Sequence, residues 1–142
     1  NDIMLGSRGG NIDHVLLSPK GIFVLETKNY SGKIWCDGGY WRKKGRRRWY
    51  DIPSVSGQAK CNATRLGNLL RERLNLPVFV NAICVFTNPT VELRLSKPDV
   101  TALELRKLVP FLQQALSSSR LTDSQITSIS DCILSECSKR SN

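Results

Sequence analysis

The sequence predicts an α/β fold in which a mixed sheet, led by an antiparallel meander, is followed by a long crossover helix, a parallel strand and a helical C-terminus. Three observations carry this reading. Two apolar runs, Ile12 to Leu17 and Ile22 to Thr27, are joined by Ser18-Pro19-Lys20-Gly21, with Pro at the second turn position and Gly at the fourth. From Pro53 to Leu74, apolar residues recur at Val55, Ala59, Ala63, Leu66, Leu70 and Leu74, the spacing of a helix that buries one stripe. Val78 to Phe86 is then nearly continuous in apolar residues, as in an interior strand covered on both faces. A helix between two strands makes a right-handed crossover, so that strand is expected parallel to Ile22 to Thr27.

At the start of the chain, Ile3 to Leu5 reads as the end of a strand that pairs with Ile12 to Leu17. With Ser18 facing Gly21, the hairpin register runs back as Leu17 with Ile22, Val15 with Val24, Asp13 with Glu26 and Asn11 with Lys28. Two acids then stand opposite each other, where like charges are destabilising unless compensated. A divalent cation would compensate them. Strand parity places Lys28 on the same face as Glu26, so Asp13, Glu26 and Lys28 are expected to converge. Magnesium takes one or two carboxylates and leaves its other positions to water and phosphate oxygens, which this pair suits. The alternative for Glu26 and Lys28 is a pair of solvated charges on a strand end; the facing Asp13 favours the site. His14 has the opposite parity and is expected to be structural.

The string from I-D-H-V through G-I-F-V-L-E-T-K-N-Y-S-G resembles the nuclease-related domain (NERD) family of the PD-(D/E)xK nuclease superfamily, most strongly from Asn11 to Gly32. The resemblance implies a restriction-endonuclease-like fold in which Asp13 and Glu26 bind Mg2+ or Mn2+ and Lys28 is catalytic. It also implies a preceding helix with a further acid, expected upstream of Asn1, and that Gln58, in D-I-P-S-V-S-G-Q, lies near the active site.

Short strand-like segments punctuated by glycine follow, at Lys33 to Cys36, Tyr40 to Lys44 and Arg46 to Asp51, and predict a small antiparallel ribbon. Six of the seven residues from Arg42 to Arg48 are basic: Arg42, Lys43, Lys44, Arg46, Arg47 and Arg48. Trp41 precedes them and Trp49 follows, a mixture suited to phosphate contact and base stacking. The alternative is a solvated hairpin whose tryptophans pack its underside. In the long helix, Gln58, Asn62 and Arg65 share one flank beside the apolar stripe. Val91, Leu93 and Leu95 alternate with Glu92 and Arg94 as in a half-buried edge strand.

Thr101 with Glu104 reads as a capping box opening a short helix that Pro110 kinks or ends, with a second helix over Phe111 to Leu116. Ser117 to Ser119 is a linker. Thr122 with Gln125 forms a second capping box, Leu121 staples against Ile126, and Ile126, Ile129, Ile133 and Leu134 make the inner face of the last helix. The tail from Ser138 is expected to fray. Residues 119–142 are this C-terminal helix and tail, within a single nuclease-related domain spanning 1–142.

Composition bounds the function. Lys and Arg total 21 against 12 acids, a formal net charge of +9 with a pI near 9.7, which favours polyanionic partners. Cys36, Cys61, Cys84, Cys132 and Cys137 form no C-x-x-C pair and are read as reduced thiols in a cytoplasmic setting, with Cys61, Cys84 and Cys132 as small buried hydrophobes. No apolar run approaches the roughly 20 residues of a membrane span. A single histidine excludes a Ser-His-Asp set and multi-histidine metal sites, and no glycine-rich phosphate loop is present. The reading is a metal-dependent endo- or exodeoxyribonuclease acting on DNA, with RNA as an alternative substrate and further domains expected on the same chain. Its competitor is a catalytically incomplete nucleic-acid-binding or protein-interaction module.

Overall fold

A computed structural model describes residues 3–6, 12, 14–115 and 120–140. In chain order the strands β1 (Ile3–Gly6), β2 (His14–Ser18) and β3 (Gly21–Lys28) form the opening meander. β4 (Lys33–Asp37), β5 (Tyr40–Lys44) and β6 (Trp49–Ile52) form the ribbon, and helix α1 (Val55–Leu74) leads to β7 (Val80–Phe86). β8 (Glu92–Ser96), β9 (Thr101–Glu104), a 3-10 turn (Leu105–Lys107), α2 (Leu108–Gln114) and α3 (Asp123–Arg140) complete the chain.

The hairpin register is the expected one: Leu17 faces Ile22, Val15 faces Val24, and Ser18 faces Gly21 across the turn. β7 runs parallel to β3, with Ile22 beside Val80 and Lys28 beside Phe86, as the crossover helix requires. Among the described residues the main sheet has five strands in the order β1-β2-β3-β7-β9, and a second has four in the order β6-β5-β4-β8. The ribbon is therefore not an appendage of the main sheet. Its strand β4 recruits β8 in parallel and makes a separate layer.

α1 starts where Ser54 accepts a hydrogen bond from the Gly57 amide at 3.0 Å, and ends at Asn75, which adopts the left-handed conformation that asparagine tolerates better than most residues. Its stripe of Val55, Ala59, Ala63, Leu66 and Leu70 is buried. The C-terminal half of that stripe packs with Val15, Ile22 and Val24 of the sheet and with Ile126, Ile129 and Ile133 of α3. Its N-terminal half, Val55 and Ala59, packs with Phe86 and with the inner face of the second sheet, Ile34, Cys36 and Trp41. Thus α1 is sandwiched between two layers. The opposite face of the main sheet, Phe23, Leu25, Ile83 and Val85, is covered by Leu108 and α2.

Several expectations are corrected. Thr101 to Glu104 is strand β9, not a capped helix: the free edge of β7 offers backbone partners from Ile83 to Phe86, and Leu103 buries its side chain in the α2 layer. Pro110 neither ends nor kinks a helix but sits in the first turn of α2, where its missing N–H would have had no partner. The second capping box does form, with the Thr122 amide donating to Gln125 Oε1 at 2.9 Å and the Gln125 amide to Thr122 Oγ1 at 3.2 Å. Leu121 and Ile126 are buried together beside it, but Leu134 is exposed rather than inward. Helix α3 continues through Ser138 to Arg140, past the point where fraying was expected. Cys61 is exposed, whereas Cys84 is buried and Cys132 is partly buried. Ser117 to Ser119 lie outside the described residues, as does Asp13.

Candidate active site and basic face

Alternation along β3 sends Ile22, Val24, Glu26 and Lys28 toward α1, and Phe23 and Leu25 toward α2. The first two fill the core; the third is a carboxylate set in the same apolar row. Glu26 is only 6% exposed. Such a charge is costly unless it is paired and hydrogen-bonded. Lys28 Nζ stands 3.2 Å from Glu26 Oε1, and the Asn62 side-chain amide donates to Glu26 Oε2 at 3.4 Å. The expected convergence of Glu26 and Lys28 on one patch is therefore present, while Asp13, the third member, lies outside the described residues.

Asn62 belongs to the polar flank of α1 that the sequence singles out, but its burial against a carboxylate has no signal in the spacing: Gln58 and Arg65, each likewise next to a buried stripe residue, are exposed. Gln58 lies one turn earlier on the same flank and is exposed. One helical turn is about 5.4 Å and two strand residues about 6.6 Å, so Gln58 is displaced from Asn62 much as Lys28 is from Glu26, along antiparallel directions of helix and strand. Gln58 is thus aligned with the open end of the patch, where Lys28 is a quarter exposed.

The floor of this patch is dry. Cys84 is the neighbour of Glu26 on β7 and is fully buried; burial, reinforced by the nearby Glu26 charge, pushes its thiol up to about 12. Cys36, across the second sheet's inner face, is raised to about 11, chiefly by burial and then by Asp99. Asp99 itself is held below the ordinary carboxylate range: burial would raise it, and hydrogen bonds from Lys60 and Ser56 outweigh that effect. Neither thiol offers a thiolate at neutral pH. Among the described residues no three His, Cys, Asp or Glu side chains gather into a metal cage. A cavity of about 960 Å³ lies on the other flank of α1 between Lys60, Thr64, Arg71 and Phe111, and neither Glu26 nor Lys28 lines it.

The basic ribbon divides its residues between two faces. Trp41 is fully buried, stacked on Phe86 with ring centroids 5.7 Å apart and donating from Nε1 to Ser56 Oγ at 3.0 Å. Its expected role in base stacking is corrected: it is a core residue that joins the two layers. Lys43 also points inward, at the margin, with Nζ 5.8 Å from the centre of the Tyr30 ring, two residues beyond Lys28. Arg42, Lys44 and Trp49 face outward, Arg42 ion-paired with Asp51 at 3.3 Å and Lys44 5.6 Å above the Trp49 ring. Arg46, Arg47 and Arg48 form the exposed turn between β5 and β6, with Arg48 over Tyr50 at 5.0 Å.

Among the described residues no helix is long and apolar enough to cross a membrane. No curated protein and no solved structure matches the chain significantly. The family model described as "Nuclease-related domain" matches residues 1–87, a span that takes in the meander, the Glu26–Lys28 pair, the ribbon, all of α1 and β7. That match covers more than half of the sequence, and the chain belongs to the nuclease-related domain (NERD) family.

Proposed function

We propose that this domain is a metal-dependent nuclease that hydrolyses phosphodiester bonds of DNA, with Asp13 and Glu26 as the metal-holding carboxylates. The observation that supports it most directly is a buried carboxylate, Glu26, placed within 3.2 Å of the Lys28 ammonium on the α1 side of the sheet. Hard carboxylate oxygens of this kind suit Mg2+ or Mn2+, which bind through one or two of them. When bound, such an ion polarises a phosphate oxygen and makes water a better nucleophile.

The chain's own residues supply the rest. Asn62 fixes one carboxylate oxygen of Glu26, and the apolar surroundings of Cys84 and Phe86 keep that carboxylate from rotating into water. Lys28, partly exposed, presents an ammonium where negative charge grows on the phosphoryl oxygens as water attacks phosphorus and the bond to the leaving oxygen breaks. Gln58, exposed one helical turn before Asn62, is assigned the role of hydrogen-bonding the attacking water or the scissile phosphate. The basic balance of the chain concentrates DNA near this patch.

The competing reading, a nucleic-acid-binding module without chemistry, is favoured by one observation: Lys28 already neutralises Glu26 across a 3.2 Å ion pair. Cleavage assays on plasmid and linear DNA separate the two. With Mg2+ or Mn2+, Asp13→Ala, Glu26→Ala and Lys28→Ala are each expected to abolish cutting, and the triple variant to be little worse than any single one, since groups acting as a unit are non-additive. DNA binding with no metal-dependent cutting, indifferent to all three substitutions, would replace the nuclease with the binding module.

A further inference from the structure

The second sheet has one face on α1 and, among the described residues, the other open. Strand pairing settles which residues share the open face: Arg94, Trp35, Arg42 and Asp51 stand in one row across β8, β4, β5 and β6, and Lys44 pairs with Trp49 in the next. Trp35 and Trp49 are both half-buried, and with Arg42 and Arg94 they line a crevice of about 230 Å³. Trp35 is braced edge-on by Tyr40, with ring centroids 6.1 Å apart, and Tyr40 is in turn hydrogen-bonded to Asp51.

We propose that this face binds single-stranded DNA, with bases stacking on Trp35 and Trp49 and phosphates meeting Arg42 and Arg94. This rests on the nuclease reading only in taking DNA as the partner; it adds a strand preference and a site apart from Glu26 and Lys28. Nothing in core packing needs the two rings there: the sheet's contribution to the core comes from the other parity, Ile34, Cys36 and Trp41. The crevice is smaller than the roughly 300 to 1,000 Å³ that encloses a whole small-molecule ligand, and it suits one flat ring laid against an indole. One strand, β5, lies between those of Trp35 and Trp49, so the two rings are two strand spacings or about 10 Å apart across the sheet, enough for a separate base on each.

Charge agrees with the occupant. Arg42, Arg94 and Lys44 lie among the rings, and the exposed Arg46 to Arg48 turn adjoins Trp49. Three acids share the face: Asp51 is tied to Arg42 and Tyr40, Glu92 is paired across the strands with Lys33, and Asp37 lies at the far end by the β4–β5 turn. The cations between the rings thus set the local sign. A duplex keeps its bases stacked inside, so only its phosphates could use this face. A single strand offers ring faces as well, and aromatic stacking is sequence-tolerant because every base has one.

Fluorescence anisotropy of a labelled mixed-sequence single strand and of its duplex, titrated with the full chain in EDTA, tests the proposal. The single strand is expected to bind at least tenfold more tightly. Trp35→Ala and Trp49→Ala should each weaken it about tenfold, within the range that stacking on one aromatic contributes, and leave duplex affinity within twofold. Trp35→Tyr, which keeps a ring against Tyr40, should recover most of the loss and so rule out misfolding as its cause. Arg94→Ala should flatten the slope of log affinity against log salt by about 0.7 for the single strand. Equal affinities for the two DNA forms, or tryptophan variants that lose duplex and single strand alike, would overturn the proposal. Cleavage measured separately with Mg2+ distinguishes the failures: cutting without single-strand preference overturns this inference alone, and preference without cutting overturns the nuclease reading alone.

Discussion

If Glu26 is retained for chemistry, removing it and removing its partner should have unequal consequences for the fold. Lys28→Met leaves a carboxylate that is 6% exposed facing an apolar side chain in place of the ammonium, while the Asn62 amide stays at 3.4 Å. Breaking a buried ion pair from one side costs about 3 to 5 kcal/mol. Because a quarter of the Lys28 side chain reaches water, the low end applies, ~3 kcal/mol. Glu26→Gln is different. The amide retains an acceptor for Asn62, the burial penalty of the charge disappears, and Lys28 turns its ammonium to solvent, so the change should lie within ~1 kcal/mol of zero. For a domain of this size one kcal/mol moves Tm by about 4 °C, so the two variants should separate by roughly 8 °C or more in calorimetry.

Magnesium supplies the second arm of the same experiment. An ion that binds only the folded state adds about 2.7 kcal/mol at a hundredfold excess over its dissociation constant, or roughly 10 °C in Tm. Wild type should show that rise and Glu26→Gln should not, and the readout needs no cleavage. Two results would refute the reasoning: equal destabilisation by both substitutions, which would make Glu26 a structural charge, or a magnesium shift that survives Glu26→Gln.

Two further outcomes follow from the packing. Trp41→Ala should cost ~3 to 5 kcal/mol in urea unfolding, because it empties a fully buried site that joins α1, Phe86 and the second sheet; a loss under 1 kcal/mol would put Trp41 outside the core. The folded state holds the Cys36 and Cys84 thiols protonated, at about 11 and 12 against the ordinary 9.0, so their contribution is complete below pH 9 and is lost as pH rises toward 11 and 12. Stability should therefore fall above pH 9, less so in Cys84→Ala. In native protein at pH 8, iodoacetamide should label the exposed Cys61 and spare Cys36 and Cys84; rapid labelling of all three would contradict their burial.

Much of the main sheet was legible because its rules are local. A Pro-Gly turn fixes the register of β2 on β3, period two then fixes which face Glu26 and Lys28 share, and an amphipathic helix before an apolar strand fixes parallel pairing with β3. What the sequence hid is where long-range partners decide. Thr101-Ala102-Leu103-Glu104 carries a capping signal and no strand alternation, and the edge of β7, outside the segment, settles it as a strand. Trp41 and Trp49 look alike beside a basic run; only the pairing of β5 with β4 and β6 shows that one enters the core and the other faces out. Asn62 shared a polar flank with Gln58 and Arg65, and nothing in helical spacing distinguishes the member that meets a buried carboxylate from those that meet solvent.

The position of Glu26 has a structural cause that links these points. Up to Val24, β3 faces the part of α1 where Ala63, Leu66 and Leu70 close the core against α3. By Phe86, the neighbour of Lys28 on β7, the layer over the sheet includes the second sheet, reached through Trp41 and the start of α1. Glu26 and Lys28 sit where one cluster gives way to the other. At that seam a charged row can be held by Asn62 from the helix and still open toward water at Lys28. The same second sheet that closes one side of the seam turns Trp35, Arg42, Trp49 and Arg94 outward on its other side. A single layer thus separates the buried acid from the aromatic and basic face, and its two strand parities differ: the inward one packs, and the outward one carries the half-buried rings and the cations.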